Sequence, residues 1–139
     1  MILFLDFDGV LHPFDCPDGM FTLLSDFERV MRDFPEVDIV ISSSWREAHA
    51  LDELRGLFSP DIARRIIDAT PIMRDFTHEC VRELEILAWL REAGREKEPW
   101  VAIDDFEKFF SPGCENLVLT DTNIGFDERV ERELRKRLG

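Results

Sequence analysis

Short apolar runs alternate along the chain with segments whose apolar residues recur every three to four positions. Ile2–Phe7 is a continuous run of the kind that forms a buried strand. After a loop rich in Pro, Gly and Asp (His12–Gly19), Leu23, Phe27, Val30 and Phe34 share one helical face. Ser25 and Glu28 have capping-box spacing there, and Pro35 closes the segment. Val37–Ser42 reads as a second strand, and Trp45, Ala48, Leu51, Leu54 and Phe58 mark a second helical face. Residues 59–76 carry a weaker pattern, in which Ile66 and Ile67 suggest a short strand. Val81, Leu84, Leu87 and Ala88 outline a third helix ending near Gly94. Trp100–Ile103 and Leu117–Leu119 read as strands, and Val130, Leu134 and Leu138 as a terminal helix. Alternation of this kind predicts an α/β fold with a mainly parallel sheet. At 139 residues, with no repeat or dividing linker, a single domain over 1–139 is expected.

Composition narrows the class. Apolar residues make up 45% and charged residues 34%, a globular balance. Twelve Phe and three Trp without any Tyr imply aromatic rings used mainly for packing. Seventeen basic against thirty acidic residues give a net charge of −13, a field that repels polyanions at long range. Cys16, Cys80 and Cys114 are odd in number and lack CxxC spacing, which fits reduced thiols in a cytoplasmic protein. The apolar run Met1–Leu5 is too short for a signal peptide or a membrane span.

The chemistry begins where the first strand ends, at Asp6-Phe7-Asp8-Gly9-Val10-Leu11. Residues two apart on a strand face the same way, so Asp6 and Asp8 can converge beyond its carboxyl end. Two adjacent carboxylates repel unless a proton or cation intervenes, and Mg²⁺ suits a few carboxylates plus a phosphate. Gly9 permits the turn that leaves the strand. A solvated acidic turn is the plainer alternative, weakened by the flanking buried runs.

Three further stations follow. Ser42-Ser43-Ser44 ends the second strand; Ser44 with Glu47 fits a capping box, leaving Ser43 to bond a phosphoryl oxygen. Hydroxyls that merely satisfy backbone groups are the competing reading. Asp104-Asp105 ends another strand, with Asp105 the preferred metal ligand and Asp104 a water-mediated ligand or a cap of the following turn. Arg82 is the best-placed cation for phosphate, with Arg46, Arg74 and Lys108 as alternatives.

In this order the motifs resemble the haloacid dehalogenase (HAD) superfamily of phosphotransferases. The segments LFLDFDGVLHP, IVISSSWR and RELEILAWL before WVAIDD are similar to the HAD domain of Swiss Army knife RNA-repair proteins. The resemblance spans residues 2 to about 120 and implies a Rossmann-type three-layer sandwich. It departs from the family pattern at one position, where Arg82 stands in for the usual lysine. It implies a Mg²⁺-dependent phosphatase in which Asp6 attacks phosphorus and Asp8 is general acid and base. Metal would be held by Asp6, the Asp8 carbonyl and Asp105, with Asp104 nearby, while Ser43 and Arg82 hold the phosphoryl group. The short spacing from Asp8 to Ser43, and from there to Arg82, leaves room for at most a minimal cap. An open site suits a bulky substrate such as a nucleic-acid 3′-phosphate, although the net charge argues against a polynucleotide. Small metabolites or nucleotides, a receiver-like Mg²⁺-binding module and a non-catalytic partner-binding domain are the alternatives. His12 is read as a bystander, and Thr120-Asp121-Thr122 as a turn at the rim.

Overall fold

The computed structural model describes residues 1–73 and 79–139. Five parallel strands form one sheet in the order β3-β2-β1-β4-β5: β1 (Ile2–Leu5), β2 (Asp38–Ile41), β3 (Ile66–Ala69), β4 (Trp100–Asp104) and β5 (Leu117–Leu119). Strands β1 and β4 are neighbours in space although β2 and β3 intervene in sequence. The chain therefore reverses its direction of travel across the sheet at β1, which opens a crevice beyond the carboxyl ends of β1 and β4. A receiver-type sheet has the order 2-1-3-4-5, so the topology removes that alternative.

Strand β1 is central and buried on both faces, which is why its sequence is apolar without alternation. Leu3 and Leu5 point into the larger core cluster. There they join Phe27, Val30 and Met31 of α1 (Leu24–Arg32), Leu54 of α2 (Leu51–Arg55), Ile62 of α3 (Pro60–Ala63), and Val130 and Leu134 of α5 (Glu128–Leu138). Ile2 and Phe4 face the opposite way, onto Ile86, Trp89 and Leu90 of α4 (Val81–Glu92). Phe4 meets the rings of Trp89 and Trp100 edge-on at 5.6 and 5.7 Å. The result is the three-layer α/β/α arrangement expected from the alternation of elements.

Three local readings are corrected. The capping box at the first helix does not form: the carboxylate of Glu28 instead accepts from the backbone N–H and hydroxyl of Ser59 at 2.8 and 2.7 Å. The second helical face is broken into a 3₁₀ turn over Ser44–Glu47 and the short α2, leaving Ala48 exposed. The indole of Trp45 leaves that face to reach Asp8, and the side chain of Arg46 folds back beneath the turn. Third, α4 buries Arg82, Glu85, Ile86, Trp89 and Leu90, whereas Leu87 is exposed. The buried stripe has ordinary i, i+3, i+4, i+7 spacing, but two charged residues stand in it.

Those charges are satisfied from below. Arg46 donates to the carbonyls of Thr70, Ser42, Ser43 and Pro71, and its Nη2 lies 2.7 Å from Glu85. One guanidinium thereby ties the ends of β2 and β3 to α4. Glu85 also accepts from Arg82 Nη1 at 3.1 Å and from the backbone N–H of Met73 at 2.9 Å. Burial pulls the pKa of Arg46 below its ordinary value, partly offset by Glu85. Among the described residues no helix is long and apolar enough to cross a membrane. Removing the Arg46 charge would take the side-chain donor from the carbonyls of Ser42, Thr70 and Pro71 and weaken the pairing of Glu85, while Ser43 O keeps the Arg46 backbone N–H. Arg46→Met is expected to cost about 3–5 kcal/mol in a urea melt, and a loss below about 1 kcal/mol would contradict this account.

Candidate active site

The site grows from the carboxyl ends of β1 and β4. The β1 ladder continues one residue past the strand, with the Asp6 N–H donating to Ile103 O. This fixes Asp6 opposite Asp104, at the last turn of the pleat before both chains leave the sheet. Carboxylate oxygens of Asp6, Asp104 and Asp105 all lie within 4.8 Å of one another. A cavity of about 490 Å³ opens above them, lined by Asp6, Asp8, Ser44, Arg82, Asp105, Thr122 and three Phe rings.

Gly9 allows the approach of the β4 loop. Its φ of +74° is left-handed, and a Cβ there would collide with the Asp105 carboxylate. Thr120 Oγ1 donates to Gly9 O at 2.6 Å, and Thr122 Oγ1 donates to Asp105 Oδ2 at 2.7 Å. The segment first read as a rim turn thus anchors both halves of the acidic floor.

Asp104 and Asp105 separate in role. Asp104 Oδ1 accepts from Phe106 N at 2.9 Å, so this carboxylate also shapes the loop. Its buried Oδ2 has no hydrogen-bond partner among the described residues and lies 3.6 Å from Arg82 Nε. Asp105 is the one of the pair that lines the cavity. Burial and the neighbouring Asp104 charge hold the Asp6 pKa well above the ordinary carboxylate value, against the opposing pull of Arg82. Burial likewise pushes Asp104 up to about 7, again opposed by Arg82.

Asp8, expected to reach the metal through its backbone carbonyl, lines the same cavity, and its carboxylate is not one of that trio. Its Oδ1 lies 2.8 Å from His12 Nε2, and its Oδ2 accepts from Trp45 Nε1 at 3.1 Å. His12 is fully buried and its Nδ1 accepts from the Phe21 N–H at 3.1 Å. A backbone N–H can only donate, so the imidazole proton sits on Nε2 and is given to Asp8. His12, read from sequence as a bystander, is therefore a positioning residue. Only its i, i+4 spacing from Asp8 hinted at this. Phe7, Phe21 and Trp45 pack edge to face around it and fix the indole that completes the pair.

The cap falls on Ser43 and not on Ser44 as expected. Ser43 is the N-cap, its Oγ accepting from Trp45 N at 3.3 Å, and it is fully buried. Ser44 lines the cavity instead. The cause is a one-residue shift, because Ser43 still has extended dihedrals and the turn begins after it. Among the candidate cations, Arg82 lines the cavity, stacked 5.2 Å from the Phe109 centroid. All five N–H groups of Arg46 are engaged elsewhere. Lys108 belongs to a separate cavity. Arg74 lies outside the described residues.

The donor set fits a hard divalent cation. Three carboxylates converge, one with an unpartnered buried oxygen, and a single arginine cannot neutralise them. A family model described as the HAD domain in Swiss Army Knife RNA repair proteins matches residues 2–130. No curated protein and no solved structure gives a significant match. Because Asp6 and Asp104 hold protons more tightly folded than unfolded, they stabilise the cation-free protein at low pH. That stability is lost as pH rises from the ordinary 3.8 through about 7. The cation-free melting temperature should therefore fall across this window. Mg²⁺ should raise it, by more at about pH 8 than at about pH 5; an equal rise at both would contradict the cluster.

Proposed function

The chain belongs to the HAD domain family of Swiss Army Knife RNA repair proteins, and from that membership and its acidic floor we propose a Mg²⁺-dependent phosphatase working through an aspartyl-phosphate. The observation that carries the reading is Asp6 on the cavity floor, within 4.8 Å of Asp104 and Asp105 and beside Arg82. Asp6, Asp105 and the Asp8 carbonyl would hold the cation, with Asp104 steadying the group from behind. When bound, the cation offsets the carboxylate repulsion and withdraws charge from the phosphoryl oxygens.

A carboxylate oxygen of Asp6 attacks phosphorus, forming a P–O bond to the aspartate as the ester P–O bond breaks. Asp8 gives its proton to the departing ester oxygen, which leaves as an alcohol. The two donors on Asp8, from His12 and Trp45, then hold the carboxylate so produced. In the second step Asp8 takes a proton from water as its oxygen attacks phosphorus. The bond to Asp6 breaks, and inorganic phosphate and the original carboxylate are restored. Arg82 and Ser44 supply donors to the phosphoryl oxygens in both steps.

No inserted domain separates β1 from β2, which are joined by a loop and α1 alone, so the described part of the site is open. An open site and the family description support a phosphorylated nucleic-acid end, a 3′-phosphate in particular, as substrate. The three cysteines are free thiols, which supports a reducing, cytoplasmic setting.

Asp6→Asn should lower turnover of an aryl phosphate by roughly 10³-fold or more while raising the melting temperature of the cation-free protein, since one repelling carboxylate is gone. Retained activity would reject Asp6 as the nucleophile. Trp45→Phe deletes one donor to Asp8, so kcat/KM, which reports only formation of the aspartyl-phosphate, should fall roughly 10- to 100-fold for alkyl phosphates but only slightly for nitrophenyl phosphate, whose leaving group needs no proton. Equal losses on both would show that Asp8 is not the acid.

A further inference from the structure

The cavity above the carboxylates has two chemically different levels. Its floor is polar and almost sealed, with Asp6 7% and Arg82 8% exposed. Its mouth is aromatic and open, with Phe14 63% and Phe106 46% exposed. Phe14 comes from the loop after β1 and Phe106 from the loop after β4. Two separate loops thus bring a bare phenyl ring to one opening. Neither ring belongs to a core cluster. Phe109 backs Phe106 edge-on, with ring centroids 4.5 Å apart, so that wall has support behind it.

Charge restricts what such a mouth can take. The described lining residues include three carboxylates, Asp6, Asp8 and Asp105, and one cation, Arg82. Arg82 with a divalent ion suffices for one phosphoryl group. No second cation among them is left to hold another phosphate, and the chain as a whole carries −13. The rest of the substrate must therefore be held without charge, and flat apolar rings do that by stacking, which is insensitive to the sign of the surrounding field. A volume of about 490 Å³ is within the range of pockets that enclose a nucleotide-sized ligand.

We propose that Phe14 and Phe106 form a stacking platform for the base of the nucleotide that bears the phosphate, so that the enzyme reads a nucleic-acid end one base deep. This inference rests on the phosphatase reading above. The two levels favour a nucleotide over a phosphotyrosine. A ring bonded directly to the phosphate oxygen is held closer to the phosphoryl group than a nucleotide's base is. A sugar between phosphate and base lifts the base to the mouth.

The test compares two oligonucleotide 3′-phosphates of equal length, one ending in adenosine and one ending in a residue without a base. Their backbone charge is the same. The wild-type protein should favour the adenosine end by roughly ten-fold or more in kcat/KM, chiefly through KM. In Phe14→Ala and in Phe106→Ala this ratio should fall toward one, and Phe14→Trp should keep it. The ratio is taken within each variant, so a general loss of activity or of folded protein cancels. A wild-type ratio near one, or a ratio that survives both alanine substitutions, overturns the platform. Failure to hydrolyse even an aryl phosphate would instead overturn the phosphatase reading. Calorimetry with the same two oligonucleotides and Mg²⁺ then decides the platform alone: a ten-fold preference for the adenosine end upholds it, and equal or absent binding rejects it.

Discussion

Mutual repulsion among Asp6, Asp104 and Asp105 is the constraint on which the rest of the structure depends. Three carboxylates crowd the carboxyl ends of β1 and β4, two of them nearly buried, and Arg82 is the one cation that reaches them among the described residues. Burial penalises each charge and proximity penalises it further, which is why Asp6 and Asp104 hold their protons so tightly. A protein selected for stability alone would not keep such a cluster. The cluster makes sense if a divalent cation and a phosphate complete it. The scaffold underneath is organised to bear the strain: Arg46 and Glu85 lock β2, β3 and α4 together, and Thr120 holds the Gly9 turn.

The Asp8 carboxylate lines the same cavity but lies outside this cluster. Asp8 is only two residues from Asp6, yet its carboxylate is held by His12 and Trp45 in an aromatic enclosure. Two carboxylates from one short motif can thereby serve opposite roles, one facing cation and phosphorus and the other facing the leaving oxygen. The divergence depends on the Gly9 turn and on a 3₁₀ turn that frees the Trp45 indole from any helical face.

Much of this was legible in the chain itself. Runs such as ILFL and WVAID have no alternation because their strands are covered on both faces, and the aspartates at their carboxyl ends, Asp6 and Asp104, converge in the acidic cluster. Polar residues in buried places were the ones misread. Arg82 and Glu85 break the apolar stripe of α4, so the pattern suggested Val81, Leu84 and Leu87, while Leu87 faces solvent. The choice of cap between Ser43 and Ser44 turned on a one-residue shift in where the turn begins, which spacing rules do not resolve. His12 was passed over because its partners, Phe21 N and Asp8, meet it only once the loop is folded. Side chains that act through tertiary hydrogen bonds leave little trace in periodicity.

The central claim is that one pocket holds a cation and a reactive aspartate together. Crystals grown with Mg²⁺ and beryllium fluoride, which mimics a phosphoryl group on a carboxylate, test it most directly. The account predicts trifluoroberyllate bonded to the Asp6 carboxylate, with the metal touching Asp6 and Asp105 and Arg82 donating to fluorine. Beryllium on another side chain, or metal and fluoride on separate surfaces, would contradict it.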